Sequence, residues 1–204
     1  MDELDPREAA ALLDETTRRA QRQFDLRPPI VSLFAAVTVL IAYGAIWLSV
    51  RHQHPYTGPS GTALGVLYGW LAVWVVVFSL FYRRATRGIA GRSREQQAID
   101  GAAFAAVWIS VYIFQGALEH AGASKAIVYG IYPAVAPIII VGGAAAAHAA
   151  ARRNTRDAAL ALIAVVLASV AAYTGPSAVW AVMAVGLCAL LLVYAALRLR
   201  ARAA

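Results

Sequence analysis

Six apolar stretches, at 29–50, 60–82, 101–118, 126–150, 158–173 and 177–197, leave this 204-residue chain few ways to fold. A helix of about 20 mainly apolar residues crosses a bilayer, and each stretch meets or approaches that length. Hydrocarbon offers no partner to backbone N–H and C=O groups, so each run must close its own hydrogen bonds as a helix. Membrane strands would alternate apolar and polar residues, whereas these segments are apolar throughout. Composition agrees: 61% of residues are hydrophobic and 14% charged, against about half and a quarter in soluble domains. The expected fold is all-α, a polytopic bundle of six transmembrane helices over 29–204 preceded by an arm over 1–28. That leaves no room for a soluble domain of ordinary size.

All but two of the 18 lysines and arginines lie on one side of these stretches. Arg7, Arg18, Arg19, Arg22 and Arg27 precede the first, and Arg83, Arg84, Arg87, Arg92 and Arg94 separate the second from the third. Arg152, Arg153 and Arg156 separate the fourth from the fifth, and Arg198, Arg200 and Arg202 follow the sixth. Arg51 and Lys125 alone occupy the alternate loops. The positive-inside rule then predicts both termini in the cytoplasm. The net charge of +7 needs no nucleic acid to explain it, because each arginine near a headgroup layer attracts anionic lipid by about 1 kcal/mol.

The arm carries its acids first and its arginines second. Asp5-Pro6-Arg7-Glu8 has the form of a helix start, and Asp14–Arg18 and Glu15–Arg19 pair four apart with the acid leading, the favourable order. A helix is predicted over 6–24, ended by Arg27-Pro28-Pro29. With a thin apolar stripe of Leu13, Thr17, Ala20 and Phe24, it is suited to lie along the membrane or to dock a partner or a second copy of the chain. Its acidic composition is wrong for a secretory leader, so the first membrane helix is expected to remain as an anchor. Cys188 is the sole cysteine, which rules out an intramolecular disulfide.

Tyr56-Thr57-Gly58-Pro59-Ser60 before the second helix is repeated as Tyr173-Thr174-Gly175-Pro176-Ser177 before the sixth, and Arg83-Arg84-Ala85-Thr86-Arg87 is echoed by Arg152-Arg153-Asn154-Thr155-Arg156. Two readings stand: duplicated helical hairpins, or convergence on good helix-start and interface chemistry.

Ionisable groups facing a bundle interior mark function in membrane proteins, and this chain holds few. Asp100 and Asp157 are expected to open the third and fifth helices as caps. On the third helix Trp108, Tyr112, Gln115 and Glu119 share one face, a stripe of indole, phenol, amide and carboxylate able to bind a cation or an amphipathic ligand. On the fourth, Pro133 and Pro137 each remove a backbone donor, and Gly142 and Gly143 follow, which makes these four a candidate hinge. His148 lies about one turn from Arg152 and is a candidate proton site. No His-Glu-x-x-His or Gly-x-Ser-x-Gly sequence and no phosphate-binding loop occurs, so no catalytic residue and no cofactor are named. His52, His54 and His120 do not form a convincing metal set.

The acid-then-arginine arm ending Arg27-Pro28-Pro29 and the entry Thr174-Gly175-Pro176-Ser177 with Val179-Trp180 resemble the small, functionally uncharacterised six-helix integral membrane proteins of high-GC actinobacteria. The resemblance implies a bacterial cytoplasmic membrane and brings no activity with it. The expected function is that of a non-catalytic membrane subunit associating with itself or with a membrane complex. The alternative is a small secondary transporter or channel for a cationic or amphipathic solute.

Overall fold

The computed structural model describes residues 29–85 and 92–203. The arm helix expected over 6–24 lies outside the described residues. Within them the chain is all-helical, without strands. Helix α1 is Pro29–Val50, α2 is Gly61–Ala85 and α3 is Arg92–His120. A π-helical turn, Ala126–Ile131, runs directly into α4, Tyr132–Ala151. Helix α5, Thr155–Ala171, tightens into a 3-10 turn at Ala172–Thr174, and α6 is Ala178–Ala203.

Five helical segments are long and apolar enough to cross a membrane: Ile30–Val50, Ala98–His120, Ala126–Ala151, Thr155–Thr174 and Ala178–Arg200. In α2 the apolar helix covers Gly61–Val77, and its sequence continues apolar through Phe78, Leu80, Phe81 and Tyr82. Helix α3 extends well before its apolar stretch, since Arg92–Ile99 is polar but has no helix breaker. Asp100 therefore sits inside α3 and does not cap it.

Local chemistry sets the turns. Ser60 accepts the Ala63 N–H at 3.3 Å and caps α2, while Asn154 accepts the Asp157 N–H at 3.2 Å and caps α5. Helices α3 and α4 end alike. After α3, Gly122 takes a φ of 77° and the N–H groups of Gly122 and Ala123 return to Glu119 and Leu118. After α4, Arg153 takes a φ of 56°, and the N–H groups of Arg153 and Asn154 return to Ala150 and Ala149. Both are Schellman closures, which satisfy the last carbonyls through one left-handed residue.

Packing follows an open ring. Helix α1 lies chiefly on α6 and also on α2, α4 lies chiefly on α5 and also on α3, and α5 and α6 join the two groups. Helices α2 and α3 are the two free ends of this ring. The core gathers Ile46 and Val50 of α1, Ala134 and Val135 of α4, Ala168 and Ala171 of α5, and Val179, Trp180, Met183 and Leu187 of α6. Small residues permit the close approaches. A Cβ on Gly186 would come within 2.6 Å of Leu167, and one on Gly130 within 2.7 Å of Pro176 and 3.1 Å of the Tyr56 ring. Elsewhere the outer surface is apolar, with Leu48, Val76, Ile113, Val166 and Val185 all exposed, the surface that lipid would cover.

The candidate hinge divides. Helix α4 runs unbroken through Pro137, Gly142 and Gly143, with Gly142 against Val165 of α5 and nothing within 4 Å of a Cβ on Gly143. The irregularity lies earlier, in the π turn just before Pro133. Gly130→Ala is expected to cost about 1–3 kcal/mol, since the proline ring it meets cannot swing aside. Gly143→Ala should be neutral or mildly stabilising. Thermal unfolding in detergent micelles compares the two, and equal losses would show that the Gly130 contact does not govern packing.

Candidate functional site

Pro133 organises one end of the bundle. It has no N–H to offer the Tyr129 carbonyl four residues earlier. The Tyr132 N–H reaches back five residues to Ile127, so the Val128 carbonyl also loses its usual donor. Side chains from elsewhere supply both bonds. Gln115 Nε2 donates to Val128 O at 2.9 Å, and the Tyr56 hydroxyl donates to Tyr129 O at 3.0 Å. The Tyr43 hydroxyl donates to Ala134 O at 3.3 Å, and the Tyr132 hydroxyl donates to Val111 O at 2.8 Å. The four bonds join α4 or its π turn to three other parts of the chain: α1, the 51–60 segment and, twice, α3.

Gln53 holds the 51–60 segment in place. Its Nε2 donates to Ser49 O and Gly58 O, and its Oε1 accepts from the Thr57 N–H, the Gly58 N–H and the Thr57 hydroxyl. Gly58, at φ 110°, takes a backbone shape that costs glycine little and lies 3.5 Å from the Tyr129 Cβ. Burial pushes the Tyr56 phenol above its ordinary range. The Trp180 indole N–H beside it offsets part of that, although the N–H itself meets no partner in hydrogen-bonding geometry.

Behind this lattice lies a cavity of about 300 Å³. Helix α2 contributes Leu64, Leu67 and Tyr68, and α3 contributes Val111, Tyr112 and Gln115. Tyr129, Pro133, Pro137 and Trp180 line it from the π turn, α4 and α6, and residues 57–59 close one side. None of these residues carries a formal charge. The cavity occupies the gap where the ring is open, so two of its walls are helices that barely meet. Trp180 is only 2% exposed and stands 5.2 Å, ring to ring, from Tyr43.

The expected α3 stripe is thus only partly assembled. Tyr112 and Gln115 line the cavity. Trp108 stacks on Tyr112 at 6.2 Å but stays outside. Glu119 is also outside the lining and accepts the Tyr129 hydroxyl at 2.5 Å. Tyr68, Tyr129 and Trp180 were not anticipated as lining. Their signal was faint: Tyr68 and Tyr129 stand among other aromatics, Trp70, Trp74 and Tyr132, in apolar runs, and Trp180 follows the repeated Gly-Pro-Ser.

The opposite, arginine-bearing end carries Asp100 and Asp157. Arg152 meets Asp100 at 2.6 Å, and His148 Nε2 lies 3.8 Å from the same carboxylate with its ring edge-on to Phe104. Asp157 accepts the Tyr194 hydroxyl and lies 3.4 Å from the Arg198 guanidinium, which in turn bonds the Tyr194 oxygen and covers its ring at 5.3 Å. Both acids therefore join helices, α3 to α4 and α5 to α6. His148 is half-exposed at the rim. Among the described residues no group of three or more His, Cys, Asp or Glu is placed to hold a metal.

No known protein family, curated protein or solved structure matches this chain.

A freed buried carbonyl is costly, so Tyr56→Phe should lower stability by about 1–2 kcal/mol. Pro133→Ala restores the missing N–H, and in that background the Tyr56→Phe penalty should largely vanish. Unfolding of the four proteins of this cycle in micelles provides the measurement. An undiminished penalty in the double variant would refute the role given to Pro133.

Proposed function

We propose that this is a non-catalytic protein of the bacterial cytoplasmic membrane that crosses six times, with both termini in the cytoplasm, and that it binds a small amphipathic solute between α2 and α3. The orientation is supported by the one-sided arginines, and the crossings by five long apolar helices together with the apolar stretch of α2. One observation carries the solute reading: an uncharged cavity, walled by Tyr68, Tyr112, Tyr129 and Trp180, lies where the helix ring is open. Binding sites for small molecules are mostly apolar and aromatic, with few polar groups to fix orientation. A molecule dissolved in the bilayer reaches such a gap sideways, without crossing water. Among the solutes expected from sequence, the amphipathic class fits better than a bare cation, because no carboxylate lines the cavity and Glu119 is engaged by Tyr129.

A second reading, self-association, draws on α2. Gly61, Gly65 and Gly69 recur every fourth residue, and nothing lies within 4 Å of a Cβ built on any of them. Such a row admits a second helix at close range. Gly65→Leu would abolish cross-linked dimers on this reading and leave solute binding in place.

The solute reading is tested with a diazirine-bearing decyl alcohol activated in proteoliposomes. Labels should concentrate on Tyr68, Tyr112 and Tyr129, and Leu67→Trp should reduce them severalfold. Labels scattered evenly over the lipid-facing helices would overturn it, and preferential labelling by the matching decyl trimethylammonium probe would shift the solute class to cations. Orientation is tested separately in a Cys188→Ala background: in intact cells, cysteine at His52 should react with an impermeant maleimide and cysteine at Arg153 should not.

A further inference from the structure

A second cavity lies at the arginine-bearing end, between α5 and α6, remote from the solute gap. Its volume is about 350 Å³. Ala159, Leu160 and Ile163 form one wall, Leu190, Val193 and Leu197 the other, and Arg156, Tyr194 and Arg198 stand at its head. From Arg156 to Ile163, and from Leu190 to Arg198, the walls run about 10–12 Å along the helix axes at 1.5 Å per residue. This is a slot with cations at one end and only hydrocarbon below.

We infer that this slot is a specific site for an anionic phospholipid, its headgroup phosphate between Arg156 and Arg198 and one acyl chain laid between α5 and α6. Charge complementarity selects the occupant. Among the described residues two guanidiniums face one carboxylate, Asp157, whose oxygen is already engaged by Tyr194 and Arg198. Arg156 has no ionic partner among the described residues. Arg198 is held in place: its Nε and a terminal nitrogen both donate to the Tyr194 oxygen, at 3.1 and 2.8 Å, and Tyr194 is itself buried. A guanidinium positioned beforehand loses little freedom on meeting a phosphate. A soluble phosphate would leave the six-residue apolar slot unused, and a zwitterionic lipid would bring its own cation against the arginines. The lower walls face outward, with Ile163 54% and Val193 57% exposed, so a lipid enters from the bilayer without any helix moving. The site requires a headgroup layer at this end of the bundle, but does not depend on which side of the membrane that is or on the solute gap.

The test uses the full chain in nanodiscs of equal phosphatidylglycerol and phosphatidylcholine, followed by native mass spectrometry after release into mild detergent. The wild-type protein should retain one phosphatidylglycerol in preference to phosphatidylcholine. Ile163→Trp, which fills the slot from an exposed position, and Arg156→Gln should each reduce that retention severalfold. Arg153→Gln, at the same end but outside the slot, should not. Equal losses with Arg153→Gln and Arg156→Gln would show diffuse charge attraction and overturn the proposal, as would retention undiminished by Ile163→Trp. Displacement of the lipid by glycerophosphoglycerol, the same headgroup without chains, would make the occupant a soluble phosphodiester and overturn it equally.

Discussion

The Val128 and Tyr129 carbonyls at the π turn are the constraint on which this end of the molecule depends. Within a bilayer an unpaired backbone group costs several kcal/mol, far more than its counterpart at a wet surface. Pro133 removes one donor outright, and the register shift at Tyr132 diverts another. The replacements, Gln115 and Tyr56, come from α3 and from the 51–60 segment. The backbone defect thus becomes a clasp: because α4 cannot satisfy itself, it must recruit its neighbours. Proline in a membrane helix is tolerated when other groups restore the lost bonds, and here the restoring groups also fix the walls of a cavity.

The two ends of the bundle are held by different physics. Near Pro133 the links are hydrogen bonds, short-ranged and directional, from phenols and amides to carbonyls and, at Tyr129, to the Glu119 carboxylate. At the arginine end they are ion pairs, Asp100 with Arg152 and Asp157 with Arg198. Asp100 is part-exposed and Arg152 more so, so that pair is screened and contributes little net stability. Asp157 is the better shielded acid. It is tied to Tyr194 as well as to Arg198, and a joint network of this kind fixes geometry more than it adds energy. Packing and directional hydrogen bonds therefore concentrate where the core cluster and the clasp coincide.

Much of the helical architecture was legible in the sequence because the bilayer criterion is crude and strong. A run of apolar residues bounded by arginines admits one backbone solution. Boundaries were less legible. Hydropathy began the third stretch at 101, whereas the helix begins at Arg92, because polarity decides which part meets lipid and does not decide where a helix starts. Gln115 stood out as a polar residue on an apolar face. Its partner did not, since the Val128 carbonyl is free only through a register shift that no local pattern announces. The repeated Tyr-Thr-Gly-Pro-Ser segments show the same division. Both place glycine at positive φ, 110° at Gly58 and 91° at Gly175, and both lead into a helix one residue after the serine. Yet Tyr56 is half-buried and bonded to Tyr129, while Tyr173 is 92% exposed. Local chemistry repeats and tertiary role does not, so the echo itself cannot decide between duplication and convergence.

The gap between α2 and α3 follows from the same economy. Helix α4 is held to α3 through Gln115 and Tyr132, and to α1 through Tyr43. The Tyr56 bond to Tyr129 tethers only the segment that leads into α2. Beyond Ala63 none of the described side chains of that helix is fully buried, although Leu64 and Leu67 pack against the core. Its large side chains, Tyr68, Leu71, Val75, Val76 and Leu80, are exposed, and three of its glycines meet nothing. In water such a helix would collapse onto its neighbours to hide this surface. In lipid that drive is absent, since hydrocarbon is as apolar as leucine. An apolar helix packed chiefly on α1 can therefore leave its other side open at little cost. On the solute reading proposed above, shape and aromatic contact, not exclusion from water, draw a molecule into the gap.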